Sequence, residues 1–170
     1  MIKKTISVLL VLAMAVSMAG CGSGVASYRA ELSKIIEDVE ELNPQVEDAV
    51  AAIVEAMNSA NDKAYQETLE VLQDLSEKLK EKYNAIANTE APSEYEEDQN
   101  LMKQHAADIG EMLDASMEIY ELMYDYLING DLSEDILERL EELQNTVMEK
   151  SDATGEFDKI LNRIMGYTED

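Results

Sequence analysis

Apolar residues recur at spacings of three and four along nearly all of the chain beyond residue 27, and no other feature restricts the fold as much. The first stretch carries Tyr28, Leu32, Ile35, Ile36, Val39, Leu42, Val46, Ala49, Val50, Ile53, Val54 and Met57. A second runs from Asp62 to Ala87 with Tyr65, Leu69, Leu72, Leu75, Leu79 and Ile86. The third reaches from Ser93 to Ile128 with Leu101, His105, Ile109, Met112, Leu113, Met117, Tyr120, Met123, Tyr124 and Leu127. The fourth carries Ile136, Leu137, Leu140, Leu143, Val147, Phe157, Ile160, Leu161, Ile164 and Met165. Such spacing lays one apolar stripe along one face of a helix. No strand-like alternation accompanies it.

Turn signals separate the stretches. Asn58 to Asn61 is polar, Asn88 to Pro92 ends the second helix, and Asn129-Gly130 stops the third. Ser93 with Glu96, and Asp131 with Glu134, read as capping boxes. Helices of this length, on the order of 50 Å, joined by turns of about five residues must run antiparallel to their neighbours. The expected fold is all-α, an up-down-up-down four-helix bundle. Pro44 lies inside the first stretch, and a proline removes an interior hydrogen bond. Asn43-Pro44 also suits the start of a fresh helix. The stripe keeps phase from Val39 to Val46, which favours one helix kinked at Pro44. Gly155 is the expected weak point of the fourth helix, since glycine costs roughly 1 kcal/mol relative to alanine there.

The N-terminus has a different character. Lys3 and Lys4 precede an apolar run from Ile6 to Val16, and Met18-Ala19-Gly20-Cys21 follows. A basic region, a short apolar core and a small-residue exit form the layout of a secretory signal peptide. The run is broken by Ser7 and Ser17 and is shorter than the roughly 20 apolar residues of a membrane span. Met18-Ala19-Gly20-Cys21 resembles the lipobox of bacterial lipoproteins. The resemblance covers residues 1 to 24 and departs from the commonest form in having Met18 where leucine is usual. It implies a diacylglyceryl group on Cys21, cleavage before it, and residence at the extracytoplasmic face of a bacterial membrane. The expected organisation is a signal peptide over 1–20, a lipidated cysteine and linker over 21–26, a helical domain over 27–166, and a frayed C-terminus over 167–170.

Charge narrows the partners. Asp and Glu number 37 against 13 Lys and Arg, a formal net charge of -24. Losing Lys3 and Lys4 with the leader makes the mature chain two charges more negative. Such a surface repels nucleic acid, whose phosphates demand Lys and Arg. It invites divalent cations or basic partners. Cys21 is the single cysteine, so no disulfide is available and packing must hold the fold.

Catalytic and cofactor signatures are missing from the sequence. His105 is the single histidine, with Met102 three residues before it, so the paired Glu-x-x-His motifs of di-iron bundles cannot be assembled. Multi-ligand Cys/His zinc sites and Cys-x-x-Cys-His haem attachment are ruled out by the same counts. The calcium-loop pattern fails at Asn129-Gly130-Asp131. The Met and Tyr residues from Met112 to Tyr126 suit core packing, or an apolar ligand. No cofactor is expected.

The function this supports is a lipid-anchored, acidic, monomeric bundle at the cell envelope, a non-enzymatic binding or interaction module. The alternatives are a solute- or divalent-cation-binding lipoprotein and a hydrolase using paired carboxylates. In a bundle of this topology, Arg29, Lys34, Lys78, Lys80, Lys82, Lys103, Lys159 and Arg163 fall in the half nearer Cys21. Asp125, Asp131, Glu134 and Asp135 fall at the far end, as the candidate partner surface.

Overall fold

The computed structural model describes residues 23–127, 129–130 and 133–167. Five α-helices and one short 3-10 turn make up its elements: α1 Ser23–Asn58, α2 Asp62–Asn88, the turn Ser93–Tyr95, α3 Glu96–Leu127, α4 Glu134–Lys150 and α5 Ala153–Met165. The fold is the all-α, up-down-up-down bundle that the stripes demand, with α4 and α5 together forming the fourth leg. The start of α1, the end of α2, the start of α3 and the end of α5 share one end. There Tyr28 bonds Gln99, Gln99 bonds the carbonyls of Ile86 and Ala87, and Arg163 pairs with Asp98.

α1 runs unbroken through Pro44. It is also already helical at Ser23, the first described residue, so residues 23–26 do not form the expected linker. At its far end the chain turns through Ala60, which adopts a left-handed φ of 50°. Asn61 N–H reaches Ala56 O at 2.9 Å and Ala60 N–H reaches Met57 O at 3.1 Å. That is the Schellman arrangement, which satisfies the orphan carbonyls of a helix end and usually places glycine where Ala60 stands. α5 ends the same way, with Gly166 at φ 80° and Tyr167 N–H on Asn162 O at 2.9 Å.

Asn61 begins α2 by accepting Ala64 N–H at 3.2 Å, so one of the orphan donors at the helix start is satisfied. The Ser93–Glu96 capping box does not form. Ser93 is itself the first residue of the 3-10 turn that Tyr95 N–H closes on Pro92 O at 2.8 Å. Asp131 lies outside the described residues, and Ser133 occupies the cap position of α4. The fourth leg does break, but at Ser151–Asp152 and not at Gly155. Ser151 takes Met148 O through both its N–H and its hydroxyl, competing with the helical ladder as serine does. Gly155 sits exposed inside the first turn of α5.

The core is unevenly filled. Toward the shared end, Leu32 and Ile36 of α1, Tyr83 and Ile86 of α2, Met102 and Ile109 of α3, and Phe157, Leu161 and Ile164 of α5 are all buried. Tyr83 and Phe157 meet edge to face with centroids 5.2 Å apart. In the other half Ile53, Tyr65, Leu72 and Leu75 are buried, but α4 contributes only Leu143 among its described residues. α4 packs chiefly on α3. Its Leu137 and Met148 remain 48 % and 65 % exposed. The fully buried Tyr65 keeps its hydroxyl satisfied by donating to Tyr120 O at 2.6 Å.

Candidate functional site

Cys21, the lipidation residue, lies outside the described residues, and so does the signal segment before it. One residue, Gly22, lies between it and Ser23, the first described residue. The basic residues of this half do not form a free cationic face. Lys82 holds Asp38 at 2.6 Å, Lys159 holds Glu156 at 2.6 Å, and Lys78 holds Asp74 at 2.5 Å. Arg163 pairs with Asp98, and Arg29 donates to the Tyr95 hydroxyl at 2.9 Å. Arg29 also packs beside Gly166, tying the start of α1 to the end of α5. Lys34 and Lys103 are exposed.

At the far end the candidate acids are spread over two helices. Asp125 is half-buried on the last turn of α3, where Asn129 Nδ2 donates to its Oδ1 at 2.9 Å. Glu134 and Asp135 are exposed in the first turn of α4, where negative charge complements the helix dipole. Asp131 lies outside the described residues. Among the described residues no three His, Cys, Asp or Glu side chains are placed to hold a metal ion. A polar cluster the stripes did not reveal adjoins this end. Tyr124 donates to Asp62 and accepts Gln66 Nε2 at 2.9 Å. The hydrogen bond to Asp62 raises the Tyr124 pKa.

The Met and Tyr residues of α3 divide. Met117, Tyr120 and Tyr124 pack on the core. Met123 and Tyr126 instead line a shallow groove of about 330 Å³ with Leu137 and Leu140 of α4. His105 is half-buried, and its Nδ1 is enclosed without a hydrogen-bond partner in the protein. No described helix is long and apolar enough to cross a membrane.

No family model matches the chain, and no curated protein or solved structure does either.

Proposed function

We propose that this is a lipid-anchored bundle that presents an acidic end away from the extracytoplasmic face of a bacterial membrane, a non-enzymatic interaction module. The carrying observation is the lipobox-like Met18-Ala19-Gly20-Cys21 placed directly before a helix that enters the core at Tyr28. With α1 helical from Ser23, a lipid on Cys21 would sit within about 10 Å of the bundle's near end. Two acyl chains give stable attachment where one does not. The lipid would carry this attachment almost alone, because most lysines and arginines of the near half are engaged with the protein's own acids. Exposed Glu134 and Asp135, with Asp125 and Asp131 nearby in sequence, would then face outward toward basic or cationic partners.

Cell fractionation of a Cys21→Ser variant tests this reading. The variant should accumulate as uncleaved precursor or leave the membrane fraction. A processed variant that still sediments with membranes would overturn it.

A further inference from the structure

We propose that the groove between the end of α3 and the start of α4 docks a basic amphipathic helix of a partner protein. The partner's apolar side chains lie against Met123, Tyr126, Leu137 and Leu140, and its lysines or arginines against Glu134, Glu138 and Glu141. Docking here rests on this end of the bundle facing outward toward basic partners, as proposed above.

α4 is the least covered leg of the bundle, and among its described residues it buries only Leu143. Leu137, Leu140, Gln144 and Met148 recur at spacings of three and four, so they share one face of α4 over roughly 16 Å. Leu137 and Met148 are large apolar side chains left exposed on that face. Met123 and Tyr126 of α3 form the opposite wall of the groove, whose volume is about 330 Å³. A small apolar ligand would keep much of its surface in water in so shallow a groove. A helix laid along it presents anchors at the same three- and four-residue spacing.

Charge selects the occupant. Glu141 belongs to the wall itself. Glu134 and Glu138 lie on the adjoining row of the same helix, and all three acids are exposed. Among the described residues none of the three is ion-paired. The cations of α4 are engaged elsewhere: Arg139 pairs with Glu118 at 2.7 Å, and Lys150 lies between Asp108 and Glu111. The unpaired charge along the groove is therefore negative. A second copy of this chain would set the same acids against each other, on top of a net charge of -24, a juxtaposition that interfaces disfavour. Anionic lipid is repelled in the same way. A lysine-rich helix is favoured by both the apolar face and the acids beside it.

The test is a fluorescence titration with a labelled helical peptide of leucine and lysine, about 18 residues long so that it spans the face. The full chain is held in phosphatidylcholine nanodiscs, with empty nanodiscs as the reference. Binding should saturate at one peptide per chain. Leu137→Ala should weaken it about fivefold, and Glu138→Gln with Glu141→Gln about fivefold while flattening its salt dependence. Val54→Ala, and Glu47→Gln with Asp48→Asn, all at exposed positions on α1, should change it less than about twofold. The proposal is overturned by binding that does not saturate or only equals that of empty nanodiscs, or by a loss at Leu137 no larger than that at Val54. Equal affinity for a leucine–glutamate peptide with the same apolar face would overturn it as well. So would a dimer of the chain alone, seen by sedimentation and abolished by Leu137→Ala, which would make the groove a self-association face. None of these outcomes alters where Cys21→Ser fractionates, and an unanchored chain would leave the peptide titration as it is.

Discussion

Tyr28 of the first helix donates its phenolic hydrogen to the side-chain oxygen of Gln99 on the third. The Gln99 amide passes the link on, donating to Ala87 O and, at 3.1 Å, to Ile86 O at the end of the second helix. Gln99 is 5 % exposed, so this one side chain caps a buried helix end and joins three helices. Burial, with nearby Asp98 and Tyr95, pushes the Tyr28 pKa up to about 12, which keeps the donor protonated.

Gln99→Ala should therefore cost about 2–4 kcal/mol, because it removes the bonds and leaves the Ala87 carbonyl and the Tyr28 hydroxyl without these partners, while Ile86 O keeps the Thr89 N–H. Tyr28→Phe should cost about 1 kcal/mol. Denaturant unfolding of both single variants and the double variant measures the coupling. Additive losses would mean that the two side chains act separately.

Ala60 and Gly166 occupy the same left-handed position in two helix ends, and only one of them is glycine. Alanine pays for the left-handed backbone by roughly 1–2 kcal/mol, part of which glycine returns as unfolded-chain entropy. Ala60→Gly should stabilise by about 0.5–1 kcal/mol, and Gly166→Ala should destabilise by a similar amount. Gly155→Ala should also stabilise slightly, since nothing lies within 4 Å of an added Cβ there. Thermal melts of the three variants check the signs.

Asp158 is the carboxyl most at odds with its surroundings. Burial raises its pKa to about 6, and its Oδ1 has no hydrogen-bond partner in the protein. The folded chain thus takes up this proton near pH 6 and the unfolded chain only near its ordinary value. Its contribution to stability must rise as pH falls from about 6 to about 4. The ionised form costs about 2–3 kcal/mol at pH 7. Glu118 and Glu156 act in the opposite sense: hydrogen bonds from Arg139 and Lys159 lower their pKa values, so they lose stabilisation only at more acid pH. The melting temperature should rise from pH 7 to pH 5, and Asp158→Asn should raise it at pH 7 and flatten that dependence. A wild-type protein less stable at pH 5 than at pH 7 would contradict this.

The helices and their order were legible because each apolar stripe has one period and each turn has its own polar residues. Val39 to Val46 in phase was enough to carry α1 across Pro44. The break in the fourth leg was misplaced because glycine propensity pointed to Gly155, whereas the side-chain competition at Ser151 depends on local backbone geometry. The basic residues of the half nearer Cys21 read as one group, and only the distances to Asp38, Asp74 and Glu156 show that Lys82, Lys78 and Lys159 are paired with the protein's own acids.

Lipid attachment at Cys21 is the central claim, and the intact mass of the protein extracted from native membranes tests it most directly. The account predicts a chain that begins at Cys21 and is heavier than the polypeptide by at least a diacylglyceryl group. A mass matching the bare polypeptide, or a chain that begins at any other residue, would contradict it.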